Sequence, residues 1–190
     1  MGKIAISGTE GTGKTTLASE VSKRYGVPVI PEFARDVAQE MGIKELRKIS
    51  PEKTLEFQKA ILSLKKAEEA KHTSFIADRS TADNMAYYLR WCARDLDDKC
   101  NEEYVEGCRR QLKTYDLVVI LPWDVIPLER DGFRTAKRYY QYEMQCTILG
   151  ILMDHGIPHE ILREPDLNKR VEFFGKFFNR GEKNDVCAKG

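Results

Sequence analysis

Short runs of consecutive apolar residues alternate along the chain with longer stretches in which apolar residues return every three or four positions. Runs of the first kind suit strands buried on both faces, and stretches of the second kind suit amphipathic helices. Their alternation predicts an α/β fold with a parallel sheet. Lys3-Ile4-Ala5-Ile6-Ser7 is the first expected strand. Leu17, Val21 and Tyr25 set a helix over about 14–25, which Gly26 and Pro28 end. Residues 27–30 predict a second strand, and Pro31 opens a helix running towards Met41. Ser50-Pro51-Glu52 caps a long helix that continues to about Lys71.

The second half repeats the alternation. Residues 74–77 predict a third strand, and Ser80 with Asp83 three positions on makes a capping box for a helix carrying 85–93. A charged helix near 102–113 leads into the clearest strand, 116–121. Residues 122–134 are irregular, a helix follows to about His155, and 158–162 is the fifth strand. A last helix carries Phe173, Phe174, Phe177 and Phe178, and the polar tail over 179–190 is expected to fray. With no internal repeat and no linker-like stretch, one domain over 1–178 is expected.

Composition narrows the function classes. The 31 Lys and Arg nearly cancel the 30 Asp and Glu, so the net charge of +1 gives no general attraction to nucleic acid or to a membrane surface. Five cysteines at wide spacing form no Cys-x-x-Cys pair, which suits reduced thiols and a cytoplasmic protein. The chain enters a strand at once, without a signal-type leader, and no apolar run reaches membrane-spanning length. Composition leaves the oligomeric state open.

Chemistry enters at Gly8-Thr9-Glu10-Gly11-Thr12-Gly13-Lys14-Thr15. In a Gly-x4-Gly-Lys-Thr string the small residues let the backbone wrap a phosphate and turn successive N–H groups inward. The helix that follows aims its positive end at the same anion. Gly8, Glu10, Gly11, Thr12, Gly13, Lys14, Thr15 and Thr16 are therefore expected to hold ATP or GTP. Lys14 reaches the β- and γ-phosphates, and the Thr15 hydroxyl ligates Mg²⁺. Asn168-Lys169-Arg170-Val171 fails at the last position of the guanine-reading Asn-Lys-x-Asp motif, which argues against a GTP switch.

Two carboxylates stand just past strands, Glu32 after the second and Asp78 after the third. In a doubly wound sheet the carboxyl ends of the strands meet over the ligand crevice, so both converge near the loop. Either can accept a proton from an acceptor, and Asp78 can join Thr15 at the metal. Each also has a plainer explanation: Glu32 as a carboxylate in a first helical turn, Asp78 as half of an ion pair with Arg79.

The segments Glu32-Phe33-Ala34-Arg35, Gln58, Phe75-Ile76-Ala77-Asp78 and Asp131-Gly132-Phe133-Arg134 resemble the ribosylnicotinamide-kinase domain of bacterial NAD-biosynthesis regulators, within the P-loop nucleoside and nucleotide kinases. That resemblance spans about 3–162. It implies a three-layer α/β/α sandwich with a five-stranded parallel sheet ordered 2-3-1-4-5 and a basic lid over about 127–140. It also implies transfer of a γ-phosphoryl group to a small nucleoside or nucleotide. On this reading Lys14, Glu32, Asp78, Arg79 and Arg134 are catalytic, and Arg130 and Arg134 close on the donor. Glu32, Arg35, Gln58, Arg79 and Tyr88 touch the acceptor. Tyr87, Tyr88 and Trp91 follow Asp78 closely, with Tyr88 and Trp91 sharing a helix face, as a ring-stacking surface or as core. A polynucleotide 5′-kinase and a non-catalytic nucleotide switch remain the rival readings, and nucleic acid is the less expected partner.

Overall fold

The computed structural model describes residues 2–126 and 138–178. Five strands, β1 (Lys3–Ser7), β2 (Val29–Ile30), β3 (Phe75–Asp78), β4 (Leu117–Ile120) and β5 (His159–Ile161), form one parallel sheet in the order β2-β3-β1-β4-β5. This is the expected α/β sandwich and strand order. Eight α-helices accompany it among the described residues: α1 (Lys14–Tyr25), α2 (Ala34–Glu40), α3 (Pro51–Glu69), α4 (Thr81–Trp91), α5 (Asp98–Leu112), α6 (Arg138–Asp154), α7 (Leu167–Phe173) and α8 (Gly175–Phe178).

The two-residue period of the strands sorts the core into two layers. Ala5, Phe75, Ala77, Val118 and Ile120 face one side, where Met85, Ala86, Cys108, Leu112, Met144 and Ile148 cover them from α4, α5 and α6. Ile4, Ile6, Ile76, Leu117 and Val119 face the other, covered by Leu17 and Val21 of α1 and by Val171, Phe174 and Phe178. The central strands are apolar at nearly every position because both faces are buried. A small satellite core, Val37 with Phe57 and Ile61, seats α2 on α3.

Register places the chemistry. Ile6 pairs with Asp78 and Ser7 with Ile120, so β1, β3 and β4 end level. The segments leaving these ends, 8–13, 79–80 and 121–126, are therefore neighbours. No helix among the described residues is long and apolar enough to cross a membrane.

Some boundaries shift. The helix expected from Pro31 starts at Ala34, with Phe33 as its cap, because Glu32 is drawn out to pair with Arg79. Glu32 therefore precedes the helix, and the dipole of a first turn does not account for it. The expected capping box is present: the Ser80 hydroxyl accepts from Ala82 N, and Asp83 accepts from Ser80 N at 2.9 Å. α5 begins at Asp98, earlier than expected, because Asp97 caps it through Cys100 N at 2.8 Å. The last expected helix divides into α7 and α8. The tail over 179–190 and most of the expected lid lie outside the described residues.

Candidate active site

The phosphate loop is fixed by its backbone. Gly8 has φ +141°, and a Cβ there would stand 2.5 Å from the Leu121 carbonyl oxygen, so only glycine fits between β1 and β4. Gly13, at φ +82°, is the left-handed residue from which α1 springs. Inside the loop Lys14 is almost fully buried; its Nζ donates to Thr9 O at 2.6 Å and to Thr12 Oγ1 at 3.4 Å. Burial, helped by the Arg79 charge, lowers Lys14 to about 8, against the pull of Asp83, Asp78 and Glu32. Glu10 accepts Gln141 Nε2 from α6 through its carbonyl at 3.2 Å, and Thr16 is exposed on α1.

Beneath the loop lies Asp83, a residue the sequence revealed only as a helix cap. It is fully buried and accepts from Ser7 Oγ at 2.6 Å, from Ser80 N and from Gly8 N at 3.2 Å. One carboxylate thus ties α4 to the first turn of the loop. Arg79 adds to it, with Nη1 at 3.4 Å from both Asp83 Oδ1 and Gly8 O.

Asp78 ends β3, and its Oδ2 accepts from Thr15 Oγ1 at 2.6 Å. Its Oδ1 is buried and has no hydrogen-bond partner. A buried carboxylate oxygen without a partner, beside a threonine hydroxyl at the helix start, fits a hard cation that takes oxygen ligands. Among the described residues no group of three or more His, Cys, Asp or Glu could hold a metal alone. Mg²⁺ here would draw most of its shell from water and phosphate, as is usual for that ion.

Arg79 and Glu32 form an ion pair of 2.5 Å, Nε to Oε1, over the Tyr87 ring, whose centroid lies 5.3 Å from the guanidinium carbon. Burial favours the neutral form of Glu32, yet Arg79 and Lys14 outweigh it and hold the carboxyl below its ordinary range. Arg79 is the only non-glycine residue with positive φ among those described, at 74°. For a long side chain that backbone is strained and needs support. Lys65 supplies it from α3: Nζ donates to Arg79 O at 2.7 Å and pairs with Glu69 at 3.4 Å, both side chains buried. Glu69 is further held by Tyr115 at 2.7 Å and by Gln111.

These groups border a cavity of about 170 Å³. Glu32, Gln58, Asp78, Arg79 and Asn84 supply polar wall, and Phe57, Tyr87, Trp91 and Tyr140 supply aromatic wall. The structure therefore brings together Lys14, Thr15, Glu32, Asp78, Arg79 and Gln58; Gln58 also accepts from Tyr104 OH at 3.3 Å. Two expected acceptor residues lie elsewhere. Tyr88 is fully buried, its ring tilted against Tyr104 with centroids 4.3 Å apart and its hydroxyl donating to Asn101 at 2.5 Å, because its turn of α4 faces α5. Tyr87 and Trp91, four residues apart, form the cleft face instead. Arg35 is exposed on α2 and does not line the cleft, although its charge contributes to the lowering of Glu32. Arg130, Arg134 and the Asp131-Gly132-Phe133 segment lie outside the described residues. Arg138, at the start of α6, rests over the Trp123 ring at 5.2 Å.

Solved structures resemble this fold. Deoxyadenosine kinase from M. mycoides with products dCMP and a flexible dCDP bound is 20% identical, with a TM-score of 0.67 over 93% of this chain and 98% of that one. NadR protein in complex with NR is 16% identical, with a TM-score of 0.73 over 94% of this chain and 52% of that one. NadR with NAD and AMP-PNP gives 15%, a TM-score of 0.67, 94% and 49%. The chain thus spans about half the length of NadR. At these identities the likeness establishes the fold, a nucleoside-kinase-like P-loop fold, and it matches the resemblance carried by the sequence motifs. No protein of curated function matches the sequence. A family model described as an AAA domain matches residues 3–170, from the first strand to α7, and the chain belongs to that family of P-loop proteins.

Proposed function

We propose that the protein transfers the γ-phosphoryl group of ATP to a small nucleoside or nucleotide. The observation that carries this reading is the shared wall between loop and cleft. Glu10 of the loop and Asp78, the partner of Thr15, both line the cavity that also holds Glu32 and Arg79. A donor phosphate on the loop and an acceptor in the cleft would then lie side by side. In-line phosphoryl transfer asks for that placement, together with positive charge around the moving group.

Each residue has a part. Loop amides and Lys14 hold the donor phosphates, and Thr15 with Asp78 would hold Mg²⁺, which supplies charge neutralisation at the phosphate oxygens. Glu32 orients the acceptor hydroxyl and takes its proton late, which suits a carboxylate of low basicity, because a loose transition state needs little proton removal before the phosphorus–oxygen bond forms. Arg79 is poised between Glu32 and the loop to stabilise the transferring group. Arg134 is proposed to join it from the lid.

The cavity, about 170 Å³, is small against the roughly 300–1,000 Å³ of drug-sized pockets, and aromatic rings wall it. That favours one nucleoside over a polynucleotide end. The test is ATP consumption stimulated by nicotinamide riboside, nucleosides, nucleoside monophosphates or 5′-hydroxyl oligonucleotides. At least one small acceptor should stimulate turnover. Oligonucleotide binding that weakens with salt at a log–log slope of about −0.7 per phosphate contact, with 5′-end labelling, would favour a polynucleotide kinase instead. Nucleotide binding that no acceptor couples to turnover would mark a switch.

A further inference from the structure

Arg170 belongs to no part of the reaction described so far, yet it touches the phosphate loop. The residue is 1% exposed on α7, far along the chain from the loop. Its Nη1 donates to the Thr12 carbonyl at 3.1 Å, and its Nε donates to the Glu164 carbonyl. Its Nη2 is buried without a hydrogen-bond partner. Among the described residues no carboxylate forms an ion pair with it. A buried guanidinium held only by carbonyls is costly, and a structural arginine is ordinarily neutralised.

The geometry of one peptide unit says what the contact does. In a trans peptide the C=O and the N–H point in opposite directions. A Cβ on Gly13 would lie 3.6 Å from Arg170 Nη1, so the guanidinium lies directly against this peptide unit. Arg170 binds the Thr12 carbonyl, which turns the Gly13 N–H away from Arg170. Lys14 Nζ lies with Thr9 O and Thr12 Oγ1 within the loop. The loop is thus held between two cations, only one of which the sequence motif contains.

We propose that Arg170 is a positioning residue of the phosphate loop. It fixes the Thr12–Gly13 peptide so that the Gly13 N–H meets the donor phosphate, and it adds a positive charge behind the anion, only partly offset by the Glu164 carboxylate nearby. The inference rests on the reading of the loop as a triphosphate site.

The experiment measures binding of MgATP and of magnesium tripolyphosphate, which has no base or ribose, by titration calorimetry at fixed salt. The proteins are the wild type, Arg170→Gln and Arg170→Lys, each checked by circular dichroism. Arg170→Gln removes the charge and falls short of the Thr12 carbonyl, but its amide can still donate to the Glu164 carbonyl, so it should fold; Arg170→Lys keeps the charge. We expect Arg170→Gln to weaken both ligands by the same factor, about 10- to 100-fold, as for a lost charged hydrogen bond, with full stoichiometry. Arg170→Lys should recover part of the loss. A purely structural role would lower the fraction of binding sites and leave the affinity of the remaining sites unchanged, and that result overturns the proposal. So does a loss for MgATP without a loss for tripolyphosphate, which places Arg170 against the base or ribose. A wild-type protein that binds neither ligand removes the triphosphate reading itself, and the inference with it.

Discussion

The phosphate loop and the cleft proposed for the acceptor lie against each other but are built in different ways. The loop is one unbroken run of residues whose working groups are backbone amides with the Lys14 and Thr15 side chains, held from outside by Asp83 and Arg170 and packed at Gly8 against the Leu121 carbonyl. The cleft is made of side chains from the approach to α2, from α3, β3, α4 and α6, and its working groups are carboxylates, a guanidinium, amides and rings. Phosphate is the same in every nucleotide, so a backbone cradle with one lysine and one threonine side chain suffices for it. Acceptors differ in shape and hydrogen bonding, and only side chains can read those differences. The contrast predicts that damage to the loop acts on any reaction, whereas damage to the cleft acts on particular acceptors.

The largest effect is expected at Lys14. Lys14→Ala should leave circular dichroism unchanged and lower turnover by about 10³-fold with every acceptor, the scale for losing a preorganised electrostatic group. Arg134→Ala should be comparable, about 10³-fold in kcat, if it behaves as a transition-state arginine. Unchanged nucleotide affinity and turnover in folded Lys14→Ala would break the donor side of the comparison.

Next come the two carboxylates, at about 10²-fold each. Asp78→Asn should lower the rate and shift the Mg²⁺ dependence to higher concentration, while Glu32→Gln should lower kcat with MgATP affinity preserved. A rate loss without a metal shift in Asp78→Asn, and no loss in Glu32→Gln, reverses the two roles. Because Arg79 and Lys14 hold Glu32 below its ordinary range, it stays ionised at acid pH. The acid limb of kcat/KM, which reports the free protein, should then fall below the usual glutamate range near 4.3. The same shift contributes folding stability above the unfolded pKa, lost as pH drops through the folded one.

Proton linkage at Lys14 gives a smaller effect. Burial puts its free-protein value at about 8, so phosphate, which binds the charged form, must be accompanied by proton uptake above that pH. MgATP affinity should weaken about tenfold between pH 7 and pH 9, and calorimetry in buffers of different ionisation enthalpy should count the proton. Stability without nucleotide should move oppositely, rising between about pH 8 and the unfolded lysine value, where the unfolded chain binds more protons.

The smallest effects separate neighbours on α4. Trp91→Ala should raise acceptor KM about fivefold, the scale of a lost ring contact, with MgATP binding unchanged. Tyr88→Phe should cost about 1 kcal/mol of stability by removing the Asn101 hydrogen bond while leaving acceptor KM unaltered. A KM change in Tyr88→Phe would return that residue to the cleft.

These differences in construction also govern what could be read from the residues alone. The loop and the Ser80–Asp83 box are local patterns with fixed spacing, and they were legible; the strand order came only through the family resemblance. Asp83 was legible only as a cap, because its bonds to Ser7 and Gly8 cross the sheet. Arg170 gave no signal; it lies on another helix, and its partners are carbonyls that every residue possesses. Tyr88 misled because helical spacing says which residues share a face but not whether that face meets a cleft or α5. The helix at Pro31 was placed too early because a proline-led turn looks the same whether or not a distant arginine draws the next side chain away.

The α4 residues that meet the cavity, Asn84, Tyr87 and Trp91, lie three and four positions apart and so form a single stripe. Asp83, immediately before them, is committed to the loop. A lineage descending from this protein could therefore exchange one acceptor for another through three substitutions on one helix while inheriting the donor machinery intact. Divergence in such a family would be rapid on that stripe and slow one residue away.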